Sequence, residues 1–180
     1  MIKRLVKSIR EYKKETILTP VFMILEVVME TLIPFLLATL IDEGVNMGDM
    51  GVITRFGIYL VISALFSMFF SIVAGVLASR ASCGFAKNLR HDMYYKIQEY
   101  SFYNIDKFSP SSIVTRLTTD VGNVQMAYMM MIRMAFRAPF TVLFSLIMAF
   151  RINKKISLIF LLIIIFFNIL DYSKFSSIIL

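Results

Sequence analysis

Residues 101–120, SFYNIDKFSPSSIVTRLTTD, join two very long helical patterns and thereby decide the fold. Apolar and helix-forming residues run almost without interruption from 56 to 102 before this stretch and from 112 to 150 after it. At about 1.5 Å per residue, about 47 helical residues extend roughly 70 Å, whereas the hydrocarbon core of a bilayer is about 30 Å thick. We therefore predict that roughly 40 Å of helix projects into water, with residues 101–120 at its tip.

The composition indicates an integral membrane protein. The chain is 58% hydrophobic, has a mean hydropathy of +0.76, and contains no charged residue from 56 to 79. A soluble domain of 180 residues could not bury this much apolar surface. The net charge of +7 is compatible with nucleic-acid binding, but the basic residues cluster before the first apolar segment and in the predicted projection, as the positive-inside rule requires. We predict contact with the lipid bilayer and no nucleic-acid partner.

The expected architecture is an all-α, polytopic protein of the plasma membrane with a cytoplasmic N-terminus and helical cytoplasmic extensions. Residues 1–15 read as a basic amphipathic elbow helix that lies in the membrane interface, and residues 42–54 as a polar loop on the outer side. Residues 16–180 then form a partial transmembrane domain. Its predicted segments are four spans at about 17–41, 56–79, 134–150 and 155–178, with a cytoplasmic projection at about 80–133.

The two projecting helices are expected to pack on each other in a coiled-coil-like bundle. Beyond the turn, apolar residues repeat at alternating spacings of three and four, which is typical of such a seam. Ser109 followed by Pro110 predicts the start of the second helix, with serine at the N-cap and proline in the first helical position. The predicted seam consists of Val114, Leu117, Val121, Val124, Tyr128, Met131 and Ala135.

Charged residues at membrane depth are the main candidates for a functional site. Glu26 and Glu30 share one face of the first span, and Arg133 and Arg137 interrupt the third. Counted down from the outer ends, Glu30 lies about 17 Å, Glu26 about 23 Å and Arg137 about 21 Å deep, so that Arg137 could meet either acid. Three roles remain open: a structural ion pair, a substrate-facing charge in a translocation cavity, or a proton-coupling carboxylate.

The sequence offers little for catalysis. It contains no G-x-x-x-x-G-K-[ST] phosphate loop, no dinucleotide fingerprint, and no His/Cys cluster with metal-ligand spacing. We predict no catalytic residue, no metal site and no cofactor in this chain. Clustered methionines favour either helix packing or an adaptable apolar pocket; they are Met126, Met129, Met130, Met131 and Met134.

At this point the chain resembles a known family. The segments LIDEGV, SFYNIDKFSPSSIVTRLTTDVGNVQ and IRMAFRAPF look like the N-terminal part of the transmembrane domain of ABC exporters with the type IV fold, the bacterial multidrug or lipid half-transporters. The resemblance implies that one segment forms the first coupling helix, which docks on a nucleotide-binding domain. The residues of that coupling helix would be Tyr103, Asn104, Ile105, Asp106, Lys107 and Phe108.

The resemblance also implies a function. The chain would supply part of the substrate pathway of an ATP-driven exporter and would pair with an identical or different second half-transporter. ATP and Mg would belong to a nucleotide-binding domain whose motifs this chain lacks, so any enzymatic role is left open. The sequence after about residue 168 departs from the family pattern. Two alternatives remain: a non-transporting or relic partner of a half-transporter, and a proton-coupled four-span drug antiporter.

Overall fold

The computed structural model describes residues 8–99, 109–152, 154, 157–158 and 162–163, and these residues form helices and short turns without a strand. We label the α-helices α1 to α4 in chain order. A 3-10 turn at Arg10–Tyr12 precedes α1, and π-helical segments follow α1 at Leu40–Val45 and join α3 to α4 at Arg116–Asp120. The α-helices are α1 (Lys13–Thr39), α2 (Met50–Gln98), α3 (Pro110–Thr115) and α4 (Val121–Ile152).

Among the described residues, three helical stretches are long and apolar enough to cross a membrane, which confirms an all-α membrane protein. They are Arg10–Val45, Met50–Gln98 and Ser111–Arg151. The expected fourth span at 155–178 lies almost entirely outside the described residues, so it stays a prediction. Within it, positions 157–158 and 162–163 are helical.

The connection between α1 and α2 is shorter than the predicted loop at 42–54. The helix continues through Val45 as a π-helical segment, and only positions 46–49 are non-helical. Gly48 adopts a φ of 70°, which suits glycine, and the Asp49 carboxylate then caps α2 by accepting from the backbone N–H groups of Gly51 and Val52 at 2.8 and 3.3 Å. The prediction was wrong because Gly44 lies directly against Ile53, which lets the end of α1 and the start of α2 pack closely and extend into the predicted loop.

Helices α1 and α2 pack antiparallel along their length. The Phe22 and Phe70 rings lie 6.1 Å apart, and Tyr12 packs directly on Gly84 near the N-terminal end of α1. Small residues on α2 allow the two backbones to approach closely, as is common between membrane helices. The buried small residues of α2 are Ala74, Ala78, Ala81, Ser82, Gly84 and Ala86.

Helix α4 runs antiparallel to α2 and parallel to α1, and the three helices meet at Tyr128. The Tyr128 ring stacks on Phe85 with centroids 4.6 Å apart, and its hydroxyl lies 2.8 Å from the Thr16 hydroxyl. Nearer the tip, the Arg90 side chain donates to the Leu117 carbonyl at 3.3 Å. These contacts join the projecting part of α2 to α4 and to the π-helical segment before it.

The predicted seam, which begins in α3 and continues into α4, is correct in its middle and wrong at its ends. Val121 is buried, but Val114 and Ala135 are exposed. At the membrane end Ile132 takes the core position with 7% exposure, whereas Met131 is 60% exposed. At 100° per residue, Ile132 lies within about 20° of Val121 around the helix axis, whereas Met131 lies about 80° away, so Ile132 takes the core position that the spacing assigns to Met131.

The projection follows from the length of α2. This helix has 49 residues, and its charge-free part at 56–79 accounts for the membrane crossing. The remaining positions from Arg80 to Gln98 extend about 27 Å further at 1.5 Å per residue.

At the other side of the tip, the predicted helix start is confirmed, because the Ser109 hydroxyl accepts from the Ser112 N–H and Pro110 occupies the first turn.

Candidate functional site

Arg137 on α4 binds two carboxylates of α1 at once. Its Nη1 donates to Glu26 Oε1 at 3.0 Å and its Nη2 to Glu30 Oε2 at 2.9 Å. The two acids are one helical turn apart, so they present their carboxylates to the same side, and the parallel course of α4 brings the guanidinium between them. We call these three residues the ion triad.

The ion triad lies within the membrane-crossing part of the bundle. Phe22 contacts Phe70, and Glu26 is one turn further along α1, which places it beside the charge-free part of α2. The Glu26 side chain is 6% exposed and the Glu30 side chain 50%. In such a low-dielectric setting charges require close partners, and removal of one partner leaves a costly isolated charge.

Glu26 is not fully satisfied by this pairing. Its Oε2 is buried and has no hydrogen-bond partner among the described residues. A carboxylate oxygen in this position is a strong acceptor, so a further donor at this depth would stabilise it. The ion triad therefore holds α1 against α4, and Glu26 Oε2 is left as an acceptor that the ion triad does not use.

A cavity of about 240 Å³ lies beside the ion triad between α1 and α4. Arg133 lies one turn before Arg137 on α4 and makes no ion pair with any described residue. Apart from the two guanidinium groups, the cavity wall consists of methionine side chains, which adapt to varied apolar shapes. The residues that line it are Met23, Met129, Met130, Arg133, Met134 and Arg137.

The structure brings Glu26, Glu30 and Arg137 together, and it places Arg133 in the cavity wall rather than in the ion triad. Three of the five clustered methionines line the cavity together with Met23. The proposed coupling residues 103–108 lie outside the described residues. Within the described ranges, no group of three or more His, Cys, Asp or Glu could hold a metal ion.

Sequence reasoning missed a second polar cluster, which fixes the N-terminal segment on the projecting part of α2. The Asn88 amide donates to the Ser8 carbonyl at 3.0 Å, and the Ser8 hydroxyl donates to Asp92 at 3.1 Å. Arg10 also pairs with Asp92. The available signal was the i, i+4 spacing of Asn88 and Asp92 on the face that continues from Gly84, where Tyr12 packs.

Comparison with known proteins agrees with the resemblance to ABC transporters. Residues 16–178 match the family model of the ABC transporter transmembrane region, so the expected departure from the family pattern after about residue 168 was wrong. Among curated proteins, the uncharacterized ABC transporter ATP-binding protein YfiB of Bacillus subtilis is 30% identical over 145 residues, which cover 81% of this chain and 25% of that protein. An uncharacterized ABC transporter ATP-binding protein of Mycobacterium bovis is 26% identical over 158 residues, 88% of this chain and 27% of that protein. The chain thus spans about a quarter of the length of these relatives.

Proposed function

Because this chain belongs to the family of the ABC transporter transmembrane region, we propose that it forms part of the substrate pathway of an ATP-driven exporter. In this proposal, residues 103–108 also contact the nucleotide-binding domain and transmit its movement to the membrane helices. The observation that carries this proposal is the length of α2, which continues from Arg80 to Gln98 beyond its charge-free part. The relatives' description as ATP-binding proteins supports a nucleotide-binding domain as the partner at that connection.

The mechanical role follows from the contacts of the projecting pair. Helix α2 has no proline along its 49 residues, so it can transmit a displacement from the tip without a kink. The Phe85–Tyr128 stack couples α2 to α4, and the Arg90–Leu117 hydrogen bond couples α2 to the π-helical segment that precedes α4. A displacement of residues 103–108 would therefore move both helices together and would reach the ion triad on α4.

The orientation in our proposal places the N-terminus and the tip in the cytoplasm. Six basic residues fall within 3–14 and six more within 80–116, whereas the connection at 42–55 carries three acids and one base. The positive-inside rule assigns the basic segments to the cytoplasmic side. A plasma-membrane exporter in this orientation would receive ATP and Mg on its nucleotide-binding domain, in the compartment that contains them, and would pair with a second half-transporter.

The antiporter alternative has less support than the exporter. A proton-coupled antiporter needs a carboxylate that exchanges protons during transport, but Glu26 and Glu30 both accept hydrogen bonds from Arg137. A non-transporting partner would share the same helices and the same docking segment. Proton-gradient-dependent efflux by the reconstituted chain, abolished by Glu26→Gln, would favour the antiporter.

Co-purification tests the docking role directly. The chain is tagged, expressed in its host and isolated in mild detergent, and associated proteins are labelled with a photoreactive ATP analogue. We expect an ATP-binding-cassette protein to be recovered with the unaltered chain. The Asp106→Ala, Phe108→Ala double variant should weaken the association about thirtyfold or more, because loss of an interface hot spot costs about 2 kcal/mol or more, and recovery should fall accordingly.

The matched control is Met47→Ala, since Met47 is exposed at the opposite end of the bundle. It should recover the same amount of ATP-binding protein as the unaltered chain. Equal recovery with the double variant would refute the docking role of residues 103–108. Absence of any ATP-binding protein from all samples would refute the proposed partner.

A further inference from the structure

The segment that precedes α1 is held on the projecting part of α2 by buried polar groups. Ser8 and Asn88 are 4% and 6% exposed, and the Asn88 amide donates to the Ser8 carbonyl at 3.0 Å. The Ser8 hydroxyl donates to Asp92 at 3.1 Å, and the Arg10 guanidinium pairs with the same carboxylate. These buried groups therefore have their partners across the contact between the two segments. We call Ser8, Arg10, Asn88 and Asp92 the N-terminal latch.

The backbone of the latch is strained at Arg10. This residue has a φ of 40°, and among the described residues it is the only one other than glycine with a positive φ. A residue with a Cβ atom is disfavoured in this left-handed region, and such a conformation persists only where surrounding contacts hold it. The contacts of the Ser8 and Arg10 side chains with Asp92 are in the right place to do so.

The latch continues directly into the junction of the three long helices. The Tyr12 ring packs on Gly84 of α2, and the Thr16 hydroxyl donates to the Tyr12 carbonyl at 2.7 Å. Since this bond uses the only proton of the Thr16 hydroxyl, the hydroxyl of Tyr128 on α4 donates to Thr16 at 2.8 Å. The Tyr128 ring in turn stacks on Phe85 of α2. A change in the angle between α2 and α4 would therefore reach the start of α1 and the latch.

We propose that the N-terminal latch is a releasable conformational device. When it is closed, the segment before α1 lies on α2 and braces the projecting helices. When α2 tilts away from the start of α1, the latch contacts break, the Arg10 backbone relaxes to a negative φ, and the segment leaves α2. The role of this release in transport rests on the proposed function, in which a displacement of residues 103–108 supplies the tilt.

The polar character of the contact favours release over permanent packing. The Arg10 and Asp92 side chains are already 51% and 37% exposed, so water can replace each of them as the partner of the other. The hydroxyl and amide groups of the latch can also bond to water once they separate. Contacts that open and close are more polar than permanent ones. The membrane-crossing parts of α1 and α2, in contrast, meet through apolar groups such as the Phe22 and Phe70 rings.

The alkylation rate of a buried cysteine measures how often the latch opens. The reporter chain carries Cys83→Ser and Ser8→Cys, is purified at full length in lipid nanodiscs, and reacts with N-ethylmaleimide. Met47→Cys serves as the exposed reference, and Thr19→Cys as the reference for opening of the whole bundle, since Thr19 is fully buried on α1. We expect Ser8→Cys to react more slowly than Met47→Cys and faster than Thr19→Cys, because local opening is more frequent than global opening.

A matched pair of variants isolates the strain at Arg10. Arg10→Gly and Arg10→Ala both remove the ion pair with Asp92, but only glycine adopts a φ of 40° without strain. In the reporter chain, Arg10→Ala should therefore react about fivefold faster than Arg10→Gly. Asp92→Ala should raise the rate about tenfold, because the Ser8 and Arg10 side chains both lose their acceptor. None of the three should change the rate of Thr19→Cys.

Three outcomes would overturn the proposal. Equal rates for Arg10→Gly and Arg10→Ala would mean that the latch stores no strain. Reaction of Ser8→Cys as fast as Met47→Cys would mean that the segment is not held on α2. If Ser8→Cys and Thr19→Cys speed up together in every variant, the segment opens only with the whole bundle. These rates are measured without an ATP-binding partner, so failure here is distinguishable from failure of the co-purification test.

Discussion

Replacement of Arg137 by methionine should destabilise the bundle more than any other single loss of a charge on α4. Methionine retains an unbranched apolar stem but cannot make the two hydrogen bonds of the guanidinium group, at 3.0 Å to Glu26 and 2.9 Å to Glu30. Glu26, with 6% of its side chain exposed, is then left buried without a counter-charge. Removal of one partner from a buried pair costs about 3–5 kcal/mol. Glu30 adds little to this, because half of its side chain is exposed.

The assay is reversible unfolding of the purified chain in mixed micelles with increasing SDS, followed by circular dichroism. We expect the free energy of unfolding to fall by about 3–5 kcal/mol for Arg137→Met, whereas Arg151→Met at the exposed C-terminal end of α4 should change it by less than about 0.5 kcal/mol. The double variant Glu26→Met, Arg137→Met should recover most of the loss, because no isolated buried charge remains. A loss below about 1 kcal/mol for Arg137→Met, or a double variant as unstable as the single one, would refute this account of the ion triad.

Two further substitutions test local packing with the same unfolding assay. Gly84→Ala should lower stability by about 1–3 kcal/mol, because a Cβ at this position collides with the Tyr12 ring, whereas Gly75→Ala has open space and should be neutral or stabilising by up to about 1 kcal/mol. Equal effects at the two glycines would contradict the close contact between the N-terminal segment and α2. Asp49→Ala should cost about 1 kcal/mol through loss of the α2 cap, and Asp49→Asn should cost much less; identical losses would mean that the side chain does not act as a cap.

Much of the fold could be predicted because hydrophobic length alone determines it. The charge-free segment at 56–79 indicates a span, and the absence of proline or a glycine turn after it indicates that α2 continues into water. The start of α3 was predictable because Ser109 and Pro110 act locally, within one helical turn. Local signals of this kind do not depend on neighbouring helices.

The features that sequence reasoning missed depend on how the helices pack. Ile132 rather than Met131 becomes buried because a straight helix places Ile132, three turns after Val121, on the same face as Val121, whereas the alternating spacing of three and four selects Met131. The α1–α2 connection is short because Gly44 lies against Ile53 and allows α1 to extend, which composition does not reveal. For the candidate site, depth arithmetic suggested which charges are level with each other, but it could not tell that Arg133 would line a cavity instead of joining the two acids.

The sidedness of the two ends of the bundle tests the central claim most directly. The only cysteine of the sequence, Cys83, is replaced by serine, and Ser109→Cys or Met47→Cys is then introduced at an exposed position. A membrane-impermeant maleimide should label Met47→Cys in intact cells and Ser109→Cys in inside-out vesicles, with little labelling in the reverse combinations. Labelling of Ser109→Cys from outside, or its protection from both sides, would contradict a helical pair that projects into the cytoplasm.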